Sequence, residues 1–156
     1  MFVFDQLIVF IQQIIHIAAN PINIFLIFAC VILGIIFGAM PGLTATLGVG
    51  LLTVLTYGMD TSTSMVALLA IYVGAVYGGS YASILINIPG TAAAAATALD
   101  GYPLACQGKG GVALGLTTTA SGIGTFIGMI FVVTIAPVIS SFALSFTSFE
   151  FFLLAF

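Results

Sequence analysis

The chain has 156 residues, of which 62% are hydrophobic and 3% are charged, and its formal net charge is −3. An ordinary soluble domain has roughly 25% charged residues, so a soluble fold is excluded for lack of charged surface. Nucleic-acid binding is excluded because a single basic side chain cannot neutralise a phosphate backbone. The composition predicts an all-α integral membrane protein, since the apolar runs lack the alternation of a membrane β-barrel.

The first segment, residues 1–19, mixes apolar and polar positions. Gln6, Gln13 and His16 fall near one face of a helix, which predicts an amphipathic helix at the membrane interface. Residues 20–156 are predicted to form the transmembrane part. About four membrane-spanning helices are expected, because a crossing needs roughly 20 apolar residues and Pro-Gly pairs interrupt the apolar runs.

Three segments are long and apolar enough to predict full crossings, namely 22–39, 65–86 and 112–135. Segment 43–57 is too short for a crossing and predicts a re-entrant or broken helix. The polar cluster at 60–64 predicts a surface turn that caps the following helix.

The later part is predicted to contain an alanine-rich helix at 92–99 and a hydrophilic loop at 100–111, where Asp100-Gly101 is typical of a turn. Lys109 favours the cytoplasmic side of the membrane for this loop. Residues 137–148 are weakly amphipathic, and residues 150–156 are predicted to begin a further helix. Because the sequence ends inside this apolar segment, the chain is expected to be part of a longer protein.

Four pairs of glycines are spaced four residues apart, which allows close packing of helices in lipid. Some of these pairs are expected by chance in a chain with 18 glycines. The pairs are Gly34/Gly38, Gly74/Gly78, Gly111/Gly115 and Gly124/Gly128.

Two interruptions share the pattern apolar-Pro-Gly-x-x-Ala, one at Pro41-Gly42 and the other at Pro89-Gly90. Proline removes an amide donor and glycine permits unusual backbone angles, so both are predicted to break a helix. Paired breaks of this kind point to the substrate site of a transporter. The unpaired amides and the positive dipole end of a restarting helix can hold an anion without any basic side chain.

The predicted substrate-binding residues lie in or beside these breaks. They are Gly42, Thr44, Thr46, Ser80, Asn87, Gly90 and Thr91, with Pro41 and Pro89 as the structural breaks. The alternative is that the Thr and Asn side chains only satisfy the backbone of two kinked spans. No catalytic residue, metal ligand or cofactor is predicted, and an enzyme is not expected because paired carboxylates and metal-binding spacings are absent from the sequence.

Two strings carry a resemblance to a known family. They are PGLTATLGVGLLTVLTYGM (41–59) and YGGSYASILINIPGTAAAAATALDGYPLACQGKGGVALG (77–115). Both resemble the large membrane subunit of the tripartite tricarboxylate transporters, the TctA family. That subunit is considerably longer, so the resemblance is to its N-terminal portion, with the C-terminal half of the transporter missing.

This resemblance implies a function. It implies one repeat of a two-repeat, multi-pass secondary transporter of the bacterial inner membrane, which imports citrate or a related organic acid with Na⁺ or H⁺ as the coupling ion. It also implies two partners, a small membrane subunit and a periplasmic solute-binding protein. The alternative is an incomplete or structural membrane protein without independent transport activity.

Overall fold

The computed structural model of the chain describes residues 2–143 and Glu150. The elements in this part are α1 (Phe2–Ala19), α2 (Pro21–Ala39), α3 (Ala45–Thr56), α4 (Thr61–Ile86), α5 (Ala94–Leu104), a π-helical segment (Ala105–Lys109) and α6 (Gly110–Ala143). Within the same residues, three helical runs are long and apolar enough to cross a membrane: Pro21–Ala39, Thr61–Ile86 and Ala94–Ala136. The prediction of an all-α membrane protein is confirmed, whereas the interfacial position of 1–19 stays a prediction.

The chain divides into two compact units. One unit, His16–Ser121, contains α2 to α5 and the beginning of α6. The other combines Met1–Ile15 with Gly122–Phe156, and its described part consists of the first portion of α1 and the remainder of α6. Both breaks and every predicted site residue belong to the unit His16–Ser121.

Side-chain caps explain where α2 and α4 begin. The Asn20 side chain accepts a hydrogen bond from the Ile22 amide at 3.1 Å, and Pro21 takes the first helical position, which needs no amide donor. The Asp60 carboxylate accepts one from the Thr63 amide at 2.9 Å, and hydrogen bonding to Thr63 lowers the pKa of Asp60. The predicted cap in the 60–64 cluster is therefore confirmed.

Helices α2 and α4 touch through their backbones at two of the predicted glycine pairs. Gly34, Gly38, Gly74 and Gly78 each lie against a carbonyl oxygen of the opposite helix that an added Cβ would overlap; these oxygens belong to Ile71, Ala75, Val31 and Ile35, respectively. Residue numbers rise together along both helices at these contacts, so α2 and α4 are parallel. In lipid, this close approach supplies packing and Cα–H···O contacts where apolar burial contributes little.

The other two predicted glycine pairs lie on α6 and have a different environment. Cβ atoms added at Gly111, Gly115, Gly124 or Gly128 would meet nothing within 4 Å among the described residues. The spacing alone therefore did not distinguish packed pairs from exposed ones.

Helix α3 returns along the α2–α4 pair. A Cβ on Gly48, near its start, would lie 3.7 Å from the Phe37 ring at the end of α2. At the other end of α3, the Thr56 carbonyl accepts a hydrogen bond from the Ser64 hydroxyl of α4 at 3.1 Å. Helix α3 is therefore antiparallel to α2 and α4. Its 12 residues reach only about 18 Å, too short to cross a bilayer, as predicted for segment 43–57.

After α4 the chain turns back on itself. A Cβ on Gly79 would lie 3.0 Å from the Thr91 hydroxyl oxygen, although Gly79 precedes the end of α4 at Ile86 by about two turns, roughly 10 Å. Farther on, Gly101 of α5 packs against the Ile84 side chain. Helix α5 therefore runs in the same direction as α4, alongside its last turns.

The prediction of a loop at 100–111 was wrong. Asp100 and Gly101 lie inside α5, which begins and ends later than the predicted helix at 92–99, and the chain stays helical into α6 apart from a kink at Gly108 (φ 77°, ψ 8°). Asp-Gly is typical of turns, but Gly101 serves helix packing here, because an added Cβ would lie 2.7 Å from Ile84.

Helix α6 is longer than the predicted span at 112–135. It includes the beginning of the predicted amphipathic segment at 137–148, and its described part is Gly110–Ala143. The rest of that segment, and the helix predicted at 150–156 apart from Glu150, lie outside the described residues.

The variant Gly74→Ala is expected to lower the free energy of unfolding by about 1–3 kcal/mol, because the added methyl group overlaps the Val31 carbonyl. The higher helix propensity of alanine offsets only about 1 kcal/mol. Thermal unfolding in detergent measures the change. The matched control is Gly115→Ala, where an added Cβ meets no atom within 4 Å, and equal shifts for both variants would contradict a close α2–α4 contact.

Candidate functional site

The second Pro-Gly break packs against the end of the helix that leads into the first break. Gly90 is buried, and an added Cβ there would overlap the carbonyl oxygen of Gly38 and lie 3.0 Å from the Cα of Gly79. Gly38 lies just before Met40, the extended residue at which α2 ends ahead of Pro41. The second break is therefore packed against the helix end that leads into the first break.

A threonine hydroxyl caps the helix that restarts after each break. The Thr44 hydroxyl accepts a hydrogen bond from the Leu47 amide at 3.3 Å, and the Thr91 hydroxyl accepts one from the Ala94 amide at 3.3 Å. The Thr46 hydroxyl lies 2.8 Å from that of Thr44. The caps take the Leu47 and Ala94 amides, and the Ala95 amide of α5 bonds to the Ala92 carbonyl at 3.2 Å, so the first-turn amides that remain as donors for a ligand are those of α3.

The electrostatic character of both helix starts favours an anion. Neither α3 nor α5 has an acidic residue in its first turn, so no carboxylate neutralises the partial positive charge there. Thr44 and Thr46 are exposed, Gly42 is exposed with a left-handed backbone (φ 92°), and Thr91 is half-buried. The arrangement has threonine hydroxyls at the starts of two helices whose dipole ends favour an anion.

Ser80 lies on α4 next to Gly79, at the level where the second break returns. It is 9% exposed. One turn farther along α4, the Ser83 hydroxyl donates a hydrogen bond to the Gly79 carbonyl at 3.0 Å. Gly79 thus contacts both Thr91 of the second break and the Ser83 hydroxyl of α4, and Ser80 is the next residue in the chain.

Asn87 lies apart from this junction, at the end of α4. Its backbone is left-handed (φ 58°, ψ 27°), and its backbone N–H donates a hydrogen bond to the Ala82 carbonyl. Asparagine tolerates this conformation better than other non-glycine residues, so the helix end itself explains the residue type. The side chain is exposed and remains a candidate ligand.

A hydroxyl cluster that the sequence analysis did not single out connects α4 to α6. The Tyr77 hydroxyl lies 2.8 Å from the Tyr81 hydroxyl and 2.6 Å from that of Thr118, and the two rings meet edge to face with centroids 5.2 Å apart. The signal was present in the sequence as two tyrosines one turn apart in an otherwise small-residue span. The cluster satisfies phenol groups that would be costly in lipid.

An open cleft of about 230 Å³ lies between α5 and the beginning of α6. Its polar lining consists of Asp100 and the hydroxyl residues Thr97 and Thr117, while alanine, glycine and leucine residues form the rest. The sequence analysis assigned Asp100 to a surface turn and therefore missed this placement.

These helices define a multi-pass membrane protein with an interrupted-helix site. A family model described as "Tripartite tricarboxylate transporter TctA family" matches residues 24–156. The chain therefore belongs to the TctA family and is a component of a membrane transporter.

One curated relative is described as "Uncharacterized 52.8 kDa protein in TAR-I ttuC' 3'region", from Agrobacterium vitis. It is 38% identical over 137 residues, which cover 88% of this chain and 27% of the relative. The chain thus spans about a quarter of that protein's length. No solved structure matches the chain.

Asn87→Gly is expected to leave the free energy of unfolding nearly unchanged, whereas Asn87→Ala should lower it by about 1–2 kcal/mol, because only the first accommodates the left-handed backbone without strain. Denaturant unfolding in detergent measures both. Citrate uptake by the stable glycine variant then tests the side chain alone. Full uptake would contradict the predicted substrate contact of Asn87.

Proposed function

We propose that the chain forms the N-terminal part of the large membrane subunit of a secondary transporter, which imports tricarboxylates or related organic acids across the bacterial inner membrane. The observation that supports this proposal is the contact of Gly90 with the Gly38 carbonyl, which packs the second break against the end of α2, just before the first break. Paired interrupted helices of this kind are where transporters bind their substrates.

The acid is held by neutral groups. The chain has one lysine and no arginine, and this residue, Lys109, lies in the π-helical segment and not at the start of α3 or α5. The first-turn amides of α3 and the partial positive charge at the start of α5 attract carboxylate oxygens, and the hydroxyls of Thr46 and Thr91 add directional hydrogen bonds. A substrate with more than one carboxylate fits this arrangement because the two helix ends can each bind one group.

Import is coupled to Na⁺ or H⁺, and no cofactor takes part. A periplasmic solute-binding protein delivers the acid, and a small membrane subunit completes the assembly. The chain covers 27% of the A. vitis relative, so the moving counterpart that alternating access requires is supplied by further sequence outside this chain. The competing proposal is a structural membrane protein, in which Thr44 and Thr91 only cap their helices.

A negative charge at position 91 distinguishes substrate binding from a purely structural role of the Thr91 cap. Thr91→Asp and Thr91→Asn both retain a side-chain oxygen for the Ala94 amide, and aspartate also favours the helix dipole. Transport requires an anion at this position, so Thr91→Asp is expected to raise the KM for citrate at least tenfold, while Thr91→Asn retains most of the uptake. The measurement is uptake of labelled citrate by proteoliposomes or cells that contain the complete transport system.

Thr119→Ala serves as a control, since its hydroxyl bonds to carbonyls of its own helix, at 3.1 Å to Gly115 and 2.9 Å to Leu116. Its citrate uptake should equal that of the unmodified protein. Equal uptake by Thr91→Asp and Thr91→Asn at matched expression would favour the structural role and reject binding at this helix end.

A further inference from the structure

The hydroxyl cluster of Tyr81, Tyr77 and Thr118 has a fixed direction of hydrogen bonding. The Thr118 hydroxyl donates its single proton to the Leu114 carbonyl at 2.8 Å, so it accepts from the Tyr77 hydroxyl, 2.6 Å away. Tyr77 has then used its own proton and accepts from the Tyr81 hydroxyl at 2.8 Å. The hydrogen bonds therefore run from Tyr81 through Tyr77 and Thr118 to the backbone of α6.

On α4, the cluster belongs to a turn that is packed on several sides. The two tyrosine rings support each other edge to face, with an interplanar angle of 82°. Gly78 and Gly79 lie between the tyrosines in the chain and pack against the Ile35 backbone of α2 and against Thr91 of the second break, respectively. One turn of α4 thus contacts α2, the second break and, through the tyrosine hydroxyls, α6.

On α6, the residues around Thr118 have little other packing. Among the described residues 110–121, Ala113 alone is buried. Gly111 and Gly115 precede Thr118 on the same face of the helix, and a Cβ added at either would meet nothing within 4 Å. Helix α6 is therefore joined to α4 at this level by hydroxyl groups, without the close backbone contact that joins α2 to α4.

The segment that leads into α6 has the features of a hinge. Gly108 interrupts the helix with a left-handed backbone (φ 77°), and it lies in the π-helical segment, a kind of irregularity that is frequent at functional sites. Just after it, a Cβ on Gly110 would lie 3.9 Å from Leu85 of α4, so the start of α6 stays beside α4. Thr118 lies about 15 Å of helix beyond Gly108, so a rotation of about 10° at Gly108 displaces Thr118 by about 3 Å and breaks its bond to Tyr77.

A rotation away from Tyr77 would move α6 into open space. At about 100° per residue, Ala113, Leu116 and Ala120 lie roughly 140–160° around α6 from Thr118. These three residues line the cleft of about 230 Å³ between α5 and α6. Nearly opposite sides of α6 therefore carry the hydrogen bond to α4 and an unfilled space.

From this geometry we infer that the hydroxyl cluster is a releasable contact, which positions α6 against α4 in one state of the protein and opens when α6 rotates about Gly108 into the cleft. Tyr77 and Tyr81 are positioning residues in this inference. Release breaks one interhelical hydrogen bond, of a kind that is individually weak in membrane proteins, and Thr118 keeps its bond to the Leu114 carbonyl. The inference rests on the proposed transport function for its role, since it names a contact that changes during alternating access.

The direct test is the distance between α2 and α6 in the complete, purified transporter, measured between spin labels at Phe28→Cys and Thr119→Cys. Both positions are exposed, and α2 is a fixed reference because it packs backbone to backbone on α4. The exposed Cys106 is replaced by serine, whereas Cys30 is buried. Tyr77→Phe keeps the ring and removes the central hydroxyl, so the population at longer distance is expected to rise about threefold to tenfold, as for loss of one interhelical hydrogen bond.

The matched control is Tyr72→Phe, which removes the hydroxyl of an exposed tyrosine of α4 that has no hydrogen bond to the other described residues. Its distance distribution should equal that of the protein with the cluster intact. Thr118→Val removes the acceptor at the other end and should give the same shift as Tyr77→Phe, also if Tyr77→Phe does not fold. Thr118→Ser retains a hydroxyl and should restore the short distance.

The double variant Tyr77→Phe/Thr118→Val should shift the distances no further than either single variant, because both remove the same bond. Distances in Tyr77→Phe and Thr118→Val equal to those in Tyr72→Phe would overturn the inference. A lower melting temperature without a larger population at longer distance would also overturn it, because the contact would then only stabilise the fold.

Citrate uptake by the same variants distinguishes this inference from the proposed function. If the distances change as expected but citrate neither binds nor is transported by the unmodified protein, the releasable contact stands and the proposed import of organic acids fails. If citrate is imported and the distances in Tyr77→Phe and Thr118→Val do not change, transport stands and the releasable contact is rejected.

Discussion

The structure depends on how backbone polar groups are satisfied where helices break inside a membrane protein. Each unpaired amide or carbonyl is costly in hydrocarbon, so a break is tolerated only where protein or a watery cavity receives these groups. Here the break at Pro89-Gly90 packs on Gly38, at the end of the helix that leads into the break at Pro41-Gly42, and Thr44 and Thr91 each take one first-turn amide. In the proposed function, the amides that remain unbonded at the start of α3 bind the carboxylate groups of the substrate, which replaces the water or protein partner they would otherwise need.

Much of this architecture could be predicted from the sequence, because it follows from apolar length and from proline. The three spans, the short α3 and both breaks were recognised in this way. Residues 100–111 do not form the predicted loop. At Gly101 the absence of a side chain, which allows close packing against Ile84, matters more than the preference of glycine for turns. Likewise, glycine spacing could not identify Gly34 and Gly74 as packed and Gly111 as exposed, since the partner of each helix is a property of the fold.

For the candidate site, the residue types could be predicted from the sequence better than their positions. Hydroxyl residues near the breaks were expected to contribute, and Thr44 and Thr91 do lie at the restarting helix ends. Asn87 was chosen for its amide side chain, yet its backbone conformation explains an asparagine at that position. Tyr77 and Tyr81 were overlooked, because their significance arises from Thr118 on a helix that is distant in sequence.

Gly38 limits how such a transporter can move. It packs on Ala75 of α4 while its carbonyl supports Gly90, so a displacement of α2 along α4 would disturb both contacts at once. Such a shift would also bring bulkier neighbours of the glycines against backbone atoms, which resists any sliding of one helix past the other. Helices α2 and α4 and the segment around Gly90 therefore form a rigid body. The proposed transport would then require rocking of this body as a whole against other surfaces, and not sliding within it.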